Sequence, residues 1–248
     1  LQWLRNGQSH REQVLFNARR EGRLVAVILD PGSCHERTID APIYTVTPSG
    51  RYALSLNYAR LFDMRMDYGI AGLEDPACNT ACPTDDGIYR ADLESGAIEL
   101  IVSIADVASV ERSPLGSAAK HWVNHMMFNP SGTRFCFLHR FWRADGMMHS
   151  RLFTADADGR NLRLLFEGMV SHYCWKNETA VLAWAGRRKI LGGGGKTGVL
   201  TTAARRCLKP IYYAMGKPRI LMQKVIGDSF YVIQDVPGSN AERFAYAK

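Results

Sequence analysis

The sequence lacks long apolar runs, long amphipathic helices and paired-cysteine motifs. No segment approaches the ~18 consecutive apolar residues of a membrane span, so no membrane partner is expected. The six cysteines include no CxxC pair, and the CxxxC spacing of Cys78 and Cys82 matches neither a zinc knuckle nor a thioredoxin motif. Unpaired cysteines favour a reducing compartment, which predicts a cytoplasmic location. Because the chain begins at Leu1 and enters a strand-like pattern at once, we expect an N-terminally incomplete fragment.

Acidic residues are the scarcer charged class. The chain has 31 lysines and arginines against 24 aspartates and glutamates, which gives a net charge of +7. This balance favours anionic partners such as nucleic acid, an anionic lipid surface or an acidic polysaccharide. The basic residues are scattered and no basic helix with interleaved aromatics is present, so nucleic acid is not the expected partner.

Short strands with tight turns dominate the pattern that remains. Apolar and polar residues alternate over five to eight positions in most segments, as they do in half-buried strands. A unit of four such strands recurs, and Trp3, Val46, Phe128 and Trp175 mark its first strand. Trp3 and Val46 lie about one repeat apart, and so do Phe128 and Trp175, whereas Val46 and Phe128 lie about two repeats apart. The repeat length is then ~40–47 residues, as in four-stranded propeller blades. The sequence therefore predicts an all-β fold, a β-propeller of four-stranded antiparallel blades, with about four blades visible.

The repeat divides the chain into two parts. Residues 1–186 are predicted to form the blades, and residues 187–248 a divergent C-terminal segment that is either a partial blade or irregular. An insertion at 57–86 leaves one blade and returns to it, so it is expected to lie over one propeller face. Its residues Arg60, Arg65, Asp67 and Tyr68 could then reach a ligand at the channel mouth. The alternative is a capping loop with solvated charges.

Histidines concentrate between residues 120 and 184. His121 and His125 are four residues apart, so a period of two predicts that they share one strand face. His139 and Arg140 end the next predicted strand, and His172 holds the position in the fourth unit that His125 holds in the third. Equivalent positions of adjacent blades are neighbours, which predicts a His125–His172 pair suited to metal ligation or proton transfer. The alternative is that each histidine is structural.

Several motifs in this stretch resemble those of oligogalacturonate lyases. They are NHMMFNPSG, FLHR, RLFTADADG and SHYCW, and the resemblance is specific between His121 and Trp184. It implies a seven-bladed propeller that cleaves acidic oligosaccharides by β-elimination, with a manganese ion held by histidines and a glutamine. Carried over to this chain, His172 matches a metal-ligand histidine and His125 the catalytic base. Two departures leave the implied manganese site incomplete: no histidine follows His172, and Arg140 stands where the family has glutamate.

The implied chemistry assigns roles to further residues. Proton abstraction next to a uronate carboxylate needs a base and a group that neutralises the developing enediolate. An arginine can grip the carboxylate with two hydrogen bonds. The candidate site residues are His125 and Arg140 for catalysis, His172 for metal binding, and Arg60, Arg65, Tyr68, His121, His139 and Trp142 for substrate binding. Two alternatives stay open: a catalytically silent propeller that binds the sugar, and a propeller that serves as a protein-interaction scaffold.

Overall fold

The computed structural model describes residues 2–5, 12–116, 118–186, 229–236 and 242–245. Within these ranges the chain is mostly β-structure with antiparallel pairing, which confirms the predicted fold class at this level. No helix in the described ranges is long and apolar enough to cross a membrane.

The first two sheets are four-stranded antiparallel meanders. Meander 1 consists of β1 (Gln2–Arg5), β2 (Glu12–Arg20), β3 (Arg23–Asp30) and β4 (His35–Ile39). Meander 2 consists of β5 (Thr45–Val46), β6 (Tyr52–Leu56), β7 (Gly87–Asp92) and β8 (Ile98–Ser103). In each, neighbouring strands of the sheet follow one another along the chain. The insertion between β6 and β7 carries helix α1 (Tyr58–Met64), and helix α2 (Ile104–Ser109) and a 3-10 turn (Pro114–Gly116) follow β8.

The third sheet has seven strands in sequential order. They are β9 (His121–Phe128), β10 (Arg134–Trp142), β11 (Met148–Asp156), β12 (Arg163–Trp175), β13 (Ala180–Gly186), β14 (Ser229–Gln234) and β15 (Glu242–Ala245). The early part of β12 pairs with β11 as far as Gly168, and the part from Met169 onwards pairs with β13. Gly168 has φ +142°, and a Cβ there would lie 2.7 Å from the carbonyl oxygen of Gly186, so only glycine fits this bend. The sheet therefore divides into meander 3 (β9 to early β12) and meander 4 (late β12 to β15).

The first strands of the four meanders are linked by hydrogen bonds. The side-chain Nε2 of Gln2 in β1 donates to the carbonyl oxygen of Tyr44, the residue before β5 (3.1 Å). The backbone N–H of His125 in β9 donates to the hydroxyl of Tyr44 (3.1 Å). The hydroxyl of Tyr173 in late β12 donates to the carbonyl oxygen of His125. The first strands of meanders 1 to 4 are therefore neighbours in chain order.

Apolar side chains fill the spaces between successive meanders. One buried cluster joins Ile28 of β3 to Leu93, just after β7. A second joins Leu54 of β6 to Phe137 of β10, and a third brings Val181 of β13 against β10 and β11. Each fully buried side chain of this size contributes roughly 1.5–3 kcal/mol to folding. The meanders thus pack face to face in sequence, and no sheet has to bury both faces alone.

The C-terminal prediction is only partly covered by the described residues. Residues 187–228, 237–241 and 246–248 of the predicted divergent segment lie outside them. The described remainder provides β14 and β15, of which β14 pairs with β13 and β15 with β14. These two strands complete the four strands of meander 4.

Candidate anion-binding site

A bulge in β9 places His125. Asn124 is opposite Leu138 and Met127 is opposite Cys136, so β9 has one residue more than β10 in this interval. His125 takes the left-handed conformation there, with φ +57°. Bulges of this kind bend a strand and re-aim a side chain. A left-handed conformation at a residue other than glycine is strained and persists only where the surroundings hold it.

Two side chains from the insertion cover the imidazole of His125. The rings of Tyr68 and His125 meet edge to face, with centroids 5.0 Å apart. The guanidinium of Arg65 lies over the ring of Tyr68, 5.1 Å from its centroid. Nδ1 of His125 is buried and has no hydrogen-bond partner in the described part of the chain. An imidazole nitrogen is thus enclosed next to cationic and aromatic groups without a protein partner.

Burial and the neighbouring charges keep this imidazole neutral. Burial, followed by the charges of Arg140, His172 and Arg65, lowers the pKa of His125 to about 4. The imidazole is therefore uncharged at neutral pH. An anion bound beside it would oppose the effect of the positive charges and raise the pKa.

Arg140 is a buried guanidinium without a carboxylate. Its residue is 3% exposed. Nε donates to the hydroxyl of Ser150 (3.1 Å) and Nη2 to the carbonyl oxygen of Val170 (3.1 Å), but no ion pair forms within the described ranges. Burial, followed by the charge of Arg65, lowers the pKa of Arg140 to about 10. Burying a charge without a counter-charge costs several kcal/mol, so this arrangement favours an anion from outside the described chain.

Neutral phenols complete the lining. Burial raises the pKa of both Tyr44 and Tyr173, so both remain protonated hydroxyls at neutral pH. Tyr44 also stacks on Tyr58 of α1, with ring centroids 6.4 Å apart, which fixes its position. The sequence analysis did not single out Tyr44. The repeat register could have found it, because Tyr44 and Tyr173 each lie two residues before a first-strand marker, Val46 and Trp175.

The structure brings together five of the residues predicted for the site: Arg65, Tyr68, His125, Arg140 and His172. We call these five, with Tyr44 and Tyr173, the His125 cluster. His172 is exposed and lies close enough to His125 for its charge to lower the pKa of that residue. The predicted proximity of the two histidines is therefore correct. The only ion pair of the cluster within the described residues joins Arg65 to the exposed carboxylate of Asp67 at 3.9 Å.

Trp142 lies at the edge of the same region. Its ring is 38% exposed, and its Nε1 donates to the carbonyl oxygen of Met64, the residue before Arg65 (3.3 Å). The ring also lies 6.0 Å from that of buried Trp122. Trp142 is therefore an exposed aromatic surface held next to the base of the insertion.

Arg60 is not available to a ligand, contrary to the prediction. It is 1% exposed and lies 3.6 Å from the carboxylate of Asp75 in a buried ion pair. Its guanidinium donates to the carbonyl oxygens of His121, Ala77, Thr80 and Ala81. Because four of its five N–H groups donate to these carbonyl oxygens and Nη1 also lies beside Asp75, Arg60 holds the insertion against β9 and is not free to grip a substrate.

His121 and His139 form a separate buried pair. Nδ1 of His121 and Nε2 of His139 are 2.7 Å apart, and Nε2 of His121 is 2.8 Å from the carbonyl oxygen of Gly116. Since that carbonyl can only accept, Nε2 of His121 carries its proton, and Nδ1 accepts from His139. Burial lowers the pKa of both residues. Neither is placed to bind a substrate at the His125 cluster.

The predicted shared face of His121 and His125 is wrong. His121 stacks on His139 and Phe141, whereas His125 contacts Tyr68. The bulge at His125 adds a residue and breaks the two-residue alternation on which the prediction rested.

The residues present do not fit a manganese site. The described part of the chain holds no group of three or more histidine, cysteine, aspartate or glutamate side chains that could bind a metal ion. His125 has the guanidiniums of Arg140 and Arg65 as neighbours, and these repel a divalent cation. Manganese prefers several oxygen or imidazole donors, which this cluster does not offer.

No protein-family model and no curated protein matches the sequence. Solved structures similar to the chain include the β-propeller domain of the Trilobed protease from Pyrococcus furiosus, with 11% identity, a TM-score of 0.48, and coverage of 99% of this chain and 58% of that one. An acylaminoacyl peptidase from Pyrococcus horikoshii has 10% identity, a TM-score of 0.46, and coverage of 93% and 30%.

A puromycin-hydrolyzing peptidase from Mycobacterium tuberculosis has 11% identity, a TM-score of 0.30, and coverage of 95% and 38%. The chain thus spans less than two thirds of the length of each of these proteins. These scores do not by themselves establish a common fold, so the propeller interpretation depends on the strand order and the contacts between first strands.

Proposed function

We propose that the four meanders are blades of a β-propeller and that the His125 cluster binds a carboxylate-bearing ligand, an acidic oligosaccharide, where the first strands of the blades meet. The blade interpretation is supported by sequential four-stranded meanders that face one another across apolar cores. Hydrogen bonds between the first strands support it further, because the first strands of propeller blades line a common axis.

The main support for a carboxylate-bearing ligand is the buried guanidinium of Arg140. It has no carboxylate partner in the described part of the chain, and a second guanidinium, that of Arg65, lies close enough to lower its pKa. A uronate carboxylate would supply the missing negative charge to Arg140, since arginine binds carboxylates through two parallel hydrogen bonds.

The aromatic side chains favour a sugar over a small inorganic anion. Tyr68 is 43% exposed and Trp142 is 38% exposed, and both lie next to Arg65. Flat aromatic faces beside a cationic group suit a ring that has one apolar face and a carboxylate. The hydroxyl of Tyr44 accepts from the backbone N–H of His125 and keeps its own proton, which it can donate to a sugar hydroxyl.

Thermal unfolding with a matched pair of ligands tests this proposal. Oligogalacturonate should raise the midpoint of unfolding, because a ligand that binds only the folded state stabilises it, by about 2.7 kcal/mol at a hundredfold excess over Kd. The fully methyl-esterified oligomer has the same sugar rings without the charge and should have little effect. An equal shift with both forms, or no shift with either, would count against a carboxylate site.

A second candidate function is β-elimination on the same ligand, favoured by the unpartnered imidazole nitrogen of His125. In this reaction His125 takes the proton from the carbon next to the carboxylate. The electron pair of that C–H bond forms a carbon–carbon double bond, and the C–O bond at the next carbon breaks. The leaving oxygen takes a proton from water. Arg140 stabilises the negative charge that develops on the carboxylate, and the bound anion raises the pKa of His125 towards the value that a base needs.

Ultraviolet absorbance separates binding from elimination. Incubation with oligogalacturonate should produce a rising absorbance from the unsaturated product if His125 acts as a base, and His125→Gln should abolish the rise. If the absorbance stays constant while the acid-specific thermal shift is present, the chain binds the oligosaccharide without cleaving it.

A further inference from the structure

A cavity lies apart from the His125 cluster. It has a volume of about 420 Å³ and lies between α2, the loop after it and strands β9 to β11. Its size is within the range of ligand pockets, roughly 300–1,000 Å³. Its lining shares no residue with the His125 cluster. A ligand here would therefore occupy a different part of the molecule.

Two arginines give this cavity a positive character. Arg151 is 1% exposed and lines the cavity. Its Nη atoms donate to the carbonyl oxygens of Val107, Val110 and Glu111, but its buried Nε has no acceptor within the described residues. Arg112 also lines the cavity, is exposed, and forms no ion pair in the described ranges.

Carboxylates near the cavity do not satisfy these donors. Glu167 accepts a hydrogen bond from His149, with the two atoms 2.8 Å apart, and Ser113 bonds to it as well. Burial lowers the pKa of Arg151, and the charges of Glu167 and Glu111 only partly oppose this shift. Neither carboxylate accepts a hydrogen bond from that guanidinium within the described residues.

Part of the lining is apolar. Phe141, Ala105 and Ala108 belong to it. Gly116 also lines the cavity, and a Cβ at this position would lie 2.9 Å from the ring of Phe141, so glycine is required for the ring to pack here. The cavity lining therefore combines cationic side chains with aromatic and aliphatic ones.

We propose that this cavity is a second binding site, for a small organic oxyanion, a carboxylate or a phosphate monoester that carries a compact apolar group. The oxyanion pairs with Arg112 and lies beside the guanidinium of Arg151, and the apolar group packs on Phe141. The hydroxyls of Ser109 and Ser113, the imidazole of His121 and the thiol of Cys82 are further polar groups of the lining.

Calorimetric titration with benzoate, phenyl phosphate and the neutral benzyl alcohol tests the proposal. We expect either or both of the anions to bind and benzyl alcohol not to bind; the tighter of the two anions identifies carboxylate or phosphate as the natural group. Arg112→Gln should weaken anion binding by about tenfold through loss of a charge-assisted hydrogen bond. Arg160→Gln is the matched control, because the Arg160 side chain is 82% exposed and lies outside the cavity lining.

Alkylation of Cys82 provides a second measurement on the unmodified protein. Cys82 lines the cavity, whereas Cys34 is exposed and absent from the lining. A bound anion should slow alkylation of Cys82 several-fold and leave that of Cys34 unchanged, as measured by peptide mass spectrometry. The proposal is wrong if neither anion binds or protects, if benzyl alcohol does so equally, or if Arg112→Gln leaves the affinity unchanged.

Discussion

Arg60 and Arg140 are both buried arginines, yet their surroundings differ in kind. Arg60 donates to four carbonyl oxygens and lies beside the carboxylate of Asp75. Arg140 has one hydroxyl and one carbonyl as acceptors, no carboxylate within the described residues, and another arginine as neighbour. Burial alone therefore does not distinguish a structural arginine from a ligand-binding one. The number of hydrogen-bond acceptors around the guanidinium, and their charge, distinguish the two.

The histidines also differ in how fully the chain satisfies their hydrogen bonds. His121 and His139 bond to each other inside the core, and the chain saturates both nitrogens of His121. His125 has a buried nitrogen without a partner and lies among guanidiniums and phenols. Nδ1 of His139 also lacks a partner within the described residues, so an unpaired nitrogen alone does not identify a binding site. The guanidiniums and phenols around His125 make the difference, because they can hold an anion next to the imidazole.

The largest expected effect is on stability, at Arg60. Arg60→Met leaves four carbonyl oxygens without their donor and removes the guanidinium from beside the buried carboxylate of Asp75, and we expect a loss of about 3–5 kcal/mol in the free energy of unfolding. Urea denaturation measures it. Arg140→Met is the matched control, and it should change stability by less than about 1 kcal/mol, because it removes a buried charge that has no counter-charge. Equal losses in the two variants would remove the distinction between the two arginines.

A smaller effect is expected in the pH dependence of stability. The pKa of His125 is lowered to about 4 in the folded chain from its ordinary value of 6.5. Between these values the unfolded chain binds the proton and the folded chain does not, so the contribution of His125 is complete above pH 6.5 and is lost as the pH falls towards 4. His125→Gln should reduce this loss by on the order of 1 kcal/mol, since partial exposure screens the charges.

Urea denaturation at several pH values from 7 to 4 measures this difference. Substitution of an exposed histidine, His35→Gln, is the control and should leave the pH profile unchanged. If wild type and His125→Gln have parallel profiles, the imidazole is not held neutral by its surroundings.

The smallest effect is expected at the exposed aromatic surface. Trp142→Ala should weaken binding of oligogalacturonate by a few-fold, corresponding to about 0.5–1.5 kcal/mol for one aromatic contact. Trp3→Ala is the control, because Trp3 is also exposed, at 57%, but lies on β1 and contacts no residue of the His125 cluster in the described ranges. Equal losses in the two variants would show that Trp142 has no specific part in binding.

Periodic features were predictable from the sequence. Alternating apolar residues and glycine turns repeat with every unit, and they predicted the four-stranded meanders and the proximity of His125 and His172. Gly159 is one such turn: it has φ +86°, and a Cβ there would lie 2.1 Å from the carbonyl oxygen of Ile101. Local sequence determines such turns, so they are readable without a structure.

Features that depend on distant contacts were not predictable. The bulge at His125 has no glycine to mark it, because the hydroxyls of Tyr44 and Tyr173 hold the backbone of His125 from two other meanders. The role of Arg60 depends on how the insertion folds over β9, which no local pattern indicates. The sequence therefore predicted the region of the proposed site, and the structure places Arg60, His121 and His139 away from the His125 cluster.

The most direct test is a calorimetric titration of wild type and Arg140→Met with trigalacturonate at low ionic strength. The account predicts that wild type binds, that Arg140→Met loses at least about tenfold in affinity, and that the variant unfolds at the same urea concentration as wild type or a higher one. Unchanged affinity in a folded Arg140→Met protein would contradict the claim that this buried guanidinium is the centre of the binding site.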